Sequence, residues 1–397
     1  MANICAIMIR EAGFTFFSKV LAAGFNFLTI ITLSRLLGPE GRGICGFYVL
    51  VVVTQMVFTD LAGGSTVVYL ATRYPVRQLR KISYAWSAAL ALLVALAFTL
   101  GAALTANEFV LLTLSGWLQA GLTLHLNLML YYRKILVFNI LSVLGPAFVW
   151  LFFLLLCTVL SASPTLYLLA WLGAGLVVWG AGIYFLSKMP VNDVEPASLG
   201  SVAKAALAYG GTNQAGHLVA IVNSRFAYYL FPASALGVYA NAVSLTEALL
   251  LLPTSTGQIM YSNLVHHAVG GSKEKIVLKN MWMVALLVLA GAVMLFLIPD
   301  GFYATIFGAA FKGVSNYVHL LAPGALFYSI YLVGTYYFSA RGLFANNVLA
   351  GVAGLLANAA GCLTAFGIGE LSPYWVAGCW SAGGMVCMGT ILWQLRR

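Results

Sequence analysis

Twelve apolar stretches, each about as long as a bilayer-spanning helix, take up nearly all of this 397-residue chain, and Lys and Arg are concentrated on alternate connections between them. A hydrocarbon layer ~30 Å thick is crossed by ~20 residues of helix, and a helix satisfies every backbone N–H and C=O within its own segment. The stretches run over 12–35, 43–70, 82–105, 109–130, 136–160, 164–187, 202–230, 235–262, 278–299, 315–339, 344–368 and 373–394. The ~10-residue alternating segments of a membrane barrel are not seen. Hydrophobic residues make up 62% and charged residues 8%, against the ~25% charged content of soluble domains. The expected fold is all-α: a polytopic membrane protein of twelve transmembrane helices.

Twelve spans place both termini on one side, so the connections sort into two sets. Arg10, Lys19, Arg73, Arg77, Arg80, Lys81, Arg133, Lys134, Lys188, Lys204, Lys273, Lys275, Lys279, Arg341, Arg396 and Arg397 fall on the terminal side, Arg35, Arg42 and Lys312 on the other, and Arg225 inside a span. The positive-inside rule then puts both termini in the cytoplasm and the chain, multi-pass, in the cytoplasmic (inner) membrane. The net charge of +10 follows from this topology, and no nucleic-acid partner is needed to explain it. Only nine residues precede Arg10, so the first helix is read as the insertion signal rather than as a cleaved leader. The six cysteines, Cys5, Cys45, Cys157, Cys362, Cys379 and Cys387, lie in or beside apolar spans with no C-x-x-C spacing, and read as small packing residues. No phosphate loop and no long soluble stretch occur, so neither an enzyme nor a cofactor or metal site is expected.

The hydrophilic interval Lys188 to Lys204 divides the chain, giving an N-terminal six-helix lobe (1–190), a cytoplasmic linker (191–204) and a C-terminal six-helix lobe (205–397). The lobes echo each other. Leu37-Gly38-Pro39-Glu40-Gly41-Arg42-Gly43 leads into span two, and Phe231-Pro232-Ala233-Ser234-Ala235-Leu236-Gly237 into span eight. Both turns follow an odd-numbered span, which suggests parallel repeats around a cleft, although proline and glycine recur between any two helices.

Ionisable residues inside spans are the informative ones: Asp60, Arg225 and Glu247. Each costs ~2.5–3.5 kcal/mol at a helix centre and is expected to face protein or water. Asp60 and Glu247 lie well inside their spans; Arg225, near a span end, either lines a path or snorkels to the headgroups. At 100° per residue, Asn213, His217, Ser224 and Tyr228 share one sector of span seven, with Gln214 and Arg225 on its flank and Asn223 elsewhere. Asn241, Ser244, Glu247, Ser255 and Gln258 share one sector of span eight. Two polar stripes suggest a wet cavity; the competing reading is helix-to-helix hydrogen bonding. Pro146, Pro253 and Pro323 fall within spans as kinks, either hinges or static packing features.

Three places resemble one family. Ser34-Arg35-Leu36-Leu37-Gly38-Pro39-Glu40-Gly41-Arg42-Gly43, followed by Asp60-Leu61-Ala62-Gly63, resembles its L-S-R-x-L-G-P-x-x-x-G and D-x-G motifs. Leu236-Gly237-Val238-Tyr239, Glu247 and Leu252-Pro253 resemble its seventh and eighth spans. Ser339-Ala340-Arg341-Gly342 with Asn346 and Asn358 is similar to its A-R-G and asparagine signature. The family is the Wzx-type polysaccharide and oligosaccharide flippases of the multidrug/oligosaccharidyl-lipid/polysaccharide exporter (MOP) superfamily. The chain departs from it at Asn223-Ser224-Arg225, where many relatives carry an aspartate, and at Gly369-Glu370-Leu371-Ser372-Pro373 before the last span.

The resemblance implies a flippase that moves a polyprenyl-diphosphate-linked oligosaccharide to the outer leaflet for cell-surface polysaccharide or lipopolysaccharide synthesis, by ion-coupled alternating access among membrane lipids. Arg35 and Arg225 are then candidates for diphosphate contact. Asn213, Gln214, His217, Asn241, Ser255 and Gln258 are candidates for sugar hydroxyls, and Asp60 and Glu247 for the coupling proton or sodium ion. The alternatives are a small-molecule or multidrug antiporter of the same superfamily, with a more aromatic and acidic cavity, and a membrane glycan polymerase or ligase.

Overall fold

The computed structural model describes residues 2–102, 104–190, 194, 195, 197–266 and 273–396. Side chains are described from residue 14 onward, excepting residues 65, 212, 213, 233, 234, 262, 263, 265, 266 and 273. The side chains of Cys5 and Asn213 and part of the expected linker 191–204 thus lie outside the described residues. Every regular element among the described residues is helical: α1 (Ala2–Thr59), α2 (Gly64–Leu70), α3 (Val76–Ala102), α4 (Ala106–Tyr131), α5 (Ile135–Val159), α6 (Pro164–Ser187), α7 (Leu199–Ser224), α8 (Phe226–Leu230), α9 (Gly237–Leu249), α10 (Leu251–His266), α11 (Lys273–Leu297), α12 (Asp300–Phe307), α13 (Val314–Ala340), α14 (Phe344–Gly367) and α15 (Pro373–Leu395), with 3-10 turns at Ala233–Leu236 and Ala309–Phe311.

Nine of these helices, among the described residues, are long and apolar enough to cross a membrane. One of them, α1, carries the first expected span and most of the second. The seventh and eighth stretches instead form broken pairs, α7 with α8 and α9 with α10. The turn expected over 36–42 shrinks to one residue. Gly38 (φ 66°, ψ −174°) stops one helix in the left-handed region, and Pro39 starts the next with a preset φ and no N–H to leave unsatisfied. Arg42, expected in a loop, therefore sits within a helix and is only 5% exposed.

The chain forms two compact units, one of residues 1–37 and 47–214, the other of residues 38–46 and 215–397. In the first, the second stretch breaks at Asp60-Leu61-Ala62-Gly63. Asp60, expected well inside its helix, instead follows the last helical residue, because Gly63 is extended and Gly64 has φ 49°. Its carboxyl fills the space above Gly64, where an added Cβ would come 2.9 Å from Cγ and Oδ1. Carbonyls at the break find donors on α3: Ser83 Oγ donates to Ala62 O (2.5 Å) and Trp86 Nε1 to Phe58 O (2.9 Å). Beneath it, Leu70, Val76, Leu79, Leu128 and Leu186 form an apolar core with Val202 of α7.

In the second unit, α13 packs against α9, α10, α11 and α15. Val277, Val284 and Val288 of α11 are fully buried, while Trp282 (69%), Leu286 (61%) and Leu297 (73%) on the same helix stay exposed. An apolar helix with one packed stripe and one apolar open face suits lipid on its open side. Pro323 leaves α13 unbroken. Beside it, Ser381 of α15 enters the backbone ladder, accepting from Gly324 N–H (3.1 Å) and donating to Leu320 O (2.5 Å). Pro253 acts differently: lacking an N–H, it cannot bond the carbonyl of Leu249, and the helix divides there into α9 and α10. The Pro-to-Gly turns read as an echo come together within this unit, the Pro39 carbonyl lying against the Cα of Gly237 where any Cβ would collide.

The two units repeat further details. Lys134 (φ −89°, ψ 59°) precedes α5, and Leu343 (φ −91°, ψ 54°) precedes α14. Their N–H groups donate to Met129 O and Phe338 O, both at 2.8 Å. Each follows a left-handed residue, Arg133 (φ 55°) or Gly342 (φ 71°). The interval from Lys134 to Ser163 equals that from Leu343 to Ser372, and both serines cap a helix that begins with proline, α6 and α15.

Two stability predictions follow from these contacts. Gly237→Ala, which drives a methyl into a backbone carbonyl, is expected to cost about 1–3 kcal/mol and to lower the unfolding temperature of the purified protein, while Gly200→Ala, in open space, leaves it unchanged. Asp300, between α11 and α13, accepts from Gly313 N–H through both oxygens (2.9 Å each) and from Ser315 Oγ (3.0 Å). Burial pushes its carboxyl up, but these bonds and the Lys312 charge outweigh it and hold the pKa below the ordinary value. This bracket is therefore at full strength above the unfolded carboxyl pKa of about 4 and is lost as pH falls through the lower folded value. Acid scans of unfolding temperature are expected to show a smaller drop below about pH 4 for Asp300→Asn than for the unchanged chain.

Candidate ligand-binding site

The second unit gathers most of the polar side chains singled out in the sequence. Arg225 sits at the break between α7 and α8, with φ −106° and ψ 14°. Its Nη2 donates to Glu247 Oε2 at 2.9 Å, and the two side chains keep 17% and 31% of their exposure. In the sequence they stand apart as ionisable residues of two different spans; folding makes them one ion pair. Glu247 lies near the end of α9, two residues before that helix stops.

One turn earlier on α9, Arg42 reaches across from α1. Its Nε donates to Asn241 Oδ1 (2.8 Å) and its Nη2 to Ser244 Oγ (3.1 Å) and to Ala240 O (3.4 Å). Asn241, Ser244 and Glu247 repeat every three residues, so one face of α9 carries both arginines. Among the described residues, Arg42 forms no ion pair with a carboxylate. The cluster of Arg42, Arg225 and Glu247 thus holds two cations and one anion. The charges of all three bear on the buried Tyr228 hydroxyl, which also closes over Gly46.

Beside this stripe, Asn358 Nδ2 donates to Asn223 Oδ1 (2.8 Å) and Asn223 donates to the Tyr328 hydroxyl. The bonds link α7, α13 and α14. Asn223, placed off the polar stripe by periodicity, is 3% exposed and faces this network. Together they fix the end of α7 two residues before Arg225.

The remaining candidates are dispersed. Arg35 is exposed in the first unit, Gln214 is buried there and Asp60 is half-buried at its helix break. Asp60 accepts no side-chain hydrogen bond through its carboxyl from the described residues. His217 is exposed and Ser255 half-buried in the second unit, and Gln258 meets the Tyr336 hydroxyl there. The single sector expected for Asn241 through Gln258 is interrupted at Leu250, because a constant 100° per residue holds only along an unbroken helix. Arg42, Asn223, Asn358 and Tyr328 were not among the candidate site residues. The turn motif pointed to Arg42, but its assignment to a loop concealed its burial. Among the described residues no three His, Cys, Asp or Glu side chains gather as a metal site would require.

Breaking a buried ion pair on one side strands a charge, whereas replacing both partners with apolar groups does not. Glu247→Gln is expected to destabilise the protein by about 1–2 kcal/mol, below the usual ~3–5 kcal/mol because the pair is partly solvated. The double variant Arg225→Met/Glu247→Leu is expected to unfold at a higher temperature than either single one.

No protein-family model and no curated protein matches the sequence. Solved structures do match. An inward-facing multidrug resistance MATE family transporter of the MOP superfamily aligns with a TM-score of 0.72 at 13% identity, covering 94% of this chain and 93% of its own. The lipid II flippase MurJ, in an inward closed conformation, aligns at 0.73 and 12% identity, over 98% of this chain and 88% of its own. A MOP superfamily transporter from Pyrococcus furiosus, described as having a binding pocket of reversed polarity, aligns at 0.62 and 12% identity over 98% and 96%. At such identities the likeness concerns architecture, and the chain has the all-helical fold of MOP superfamily transporters.

Proposed function

We propose that this protein is a flippase that carries a polyprenyl-diphosphate-linked oligosaccharide from the cytoplasmic to the outer leaflet of the cytoplasmic membrane. On this reading it has twelve spans in two six-helix halves, joined through 191–204, with both termini cytoplasmic, and works by ion-coupled alternating access. The observation that carries the reading is the excess positive charge inside the second unit: Arg42 is buried on neutral acceptors while Glu247 is already paired with Arg225. Neutral oxygens solvate a guanidinium without cancelling its charge, so an anionic headgroup stabilises this interior and an organic cation is repelled. A diphosphate suits the bidentate fork of arginine.

Arg225 and Arg42 then take the diphosphate, with Arg35 as a contact along the route. Asn213, Gln214, His217, Asn241, Ser255 and Gln258 offer amide, imidazole and hydroxyl groups to sugars. Asp60, whose carboxyl has no hydrogen-bonded side chain among the described residues, and Glu247 take the coupling proton or sodium ion. The repeated turns before α5 and α14 and the repeated Ser-Pro caps of α6 and α15 favour two parallel halves. A multidrug antiporter is the second reading, favoured by the MATE likeness and disfavoured by the sign of the interior charge.

The test is reconstitution in liposomes with a fluorescent polyprenyl-diphosphate oligosaccharide. Losing one charge-assisted bond, worth ~1.5–3 kcal/mol, is expected to slow leaflet translocation about tenfold or more in Arg42→Gln and in Arg225→Ala. Unchanged rates in both would remove the site. Efflux of dyes without glycan movement would favour the antiporter, and covalent glycan transfer would point to a polymerase or ligase.

A further inference from the structure

We propose that one end of the first unit is a binding site for a phospholipid headgroup carrying two phosphates, independent of the transport reading. Three connections meet there, α2 to α3, α4 to α5 and α6 to α7, and hydrogen bonds join them into one surface. The Tyr131 hydroxyl donates to Ala71 O (3.1 Å) and the Tyr132 hydroxyl to Pro190 O (3.2 Å). Gln78 donates to Ala197 O (2.7 Å) and accepts from Ala197 N–H (3.3 Å). The apolar core of Leu70, Val76, Leu79, Leu128 and Leu186 lies under this surface.

On it stand Arg73, Arg77, Lys81, Arg133, Lys134 and Lys188, all exposed. Both ion pairs found among the described residues lie in the second unit, and Glu195 is the only described carboxylate in these connections. The aromatic rings support the cations from below: Arg73 lies 4.9 Å from the Tyr69 centroid and Lys188 Nζ 4.1 Å from that of Tyr184. Cations gathered on one surface with a single described carboxylate repel one another, and an anion of more than one charge relieves several at once.

Membrane topology accounts for basic residues in these connections, but it is indifferent to where on the turn they stand. The turn before α14 places Gly342 at its left-handed position; the matching turn before α5 places Arg133 there, at φ 55°, a conformation that favours glycine. The guanidinium is held at this spot against the backbone's preference. Next to it, Leu130 (41%), Leu136 (60%) and Ile140 (44%) are exposed on α4 and α5, an apolar face on which acyl chains can lie. Basic sites between helices at a membrane surface select lipids such as cardiolipin by these features.

The experiment is native mass spectrometry of the full chain with three probes: cardiolipin, phosphatidylethanolamine and undecaprenyl diphosphate. Arg73→Gln/Arg77→Gln/Arg133→Gln is compared with Lys275→Gln/Lys279→Gln/Lys312→Gln, which removes the same charge elsewhere, and unfolding temperatures verify that both fold. The expected result is that the first triple variant retains cardiolipin roughly tenfold less than the unchanged chain or the second, with phosphatidylethanolamine and undecaprenyl diphosphate unaltered. Equal loss in both triple variants, or no loss in either, overturns the proposal. So does loss of undecaprenyl diphosphate with cardiolipin retained, which would make the surface part of a substrate route.

Discussion

Inside a bilayer, a helix that breaks must find partners for the backbone groups it releases, and this requirement organises both units. The second stretch stops at Thr59, and Ser83 and Trp86 of α3 supply donors to Ala62 and Phe58. The seventh stretch stops at Ser224, the eighth at Leu249. Each break has an ionisable side chain on it or within two residues of it: Asp60, Arg225, Glu247. An unwound turn supplies backbone dipoles and space that an intact helix surface lacks, so these are the places where the chain can keep a charge within its spans.

The second unit then sets its charges against each other unequally. Arg225 is answered by Glu247 and Arg42 by an amide, a hydroxyl and a carbonyl. All lie on one face of α9, which the close approach of Pro39 to Gly237 brings against the start of the second helix of α1. The packing of two Pro-to-Gly turns thereby determines where a buried cation stands. The Asn223–Asn358 bond does the same for Arg225, by fixing the last residues of α7.

Much of this was legible in the residues and part of it was not, for physical reasons. Apolar length identifies a span, so the all-helical architecture and the approximate positions of the helices followed from hydropathy alone. The breaks did not. A hydropathy window over Asp60-Leu61-Ala62-Gly63 is as apolar as a helix, with Gly63 and Gly64 as the signal of a break, and a proline inside an apolar span, as at Pro253, is equally compatible with a kink and with a full interruption at Leu250. Arg42 looked like a loop cation because a Gly-Pro sequence normally marks a turn of several residues. Here Gly38 alone makes it. The Arg225–Glu247 pair joins two spans, and pairing across helices depends on packing that periodicity within one helix does not encode.

The central claim is that the interior of the second unit has an excess positive charge that favours an anionic headgroup. Equilibrium binding to the purified protein, comparing a short-chain polyprenyl diphosphate with a hydrophobic organic cation of similar size, tests it most directly. The account predicts saturable binding of the diphosphate that weakens at least about tenfold in Arg42→Gln, as loss of one charge-assisted contact requires, and no saturable binding of the cation. Tighter binding of the cation, with the diphosphate indifferent to Arg42, would contradict it.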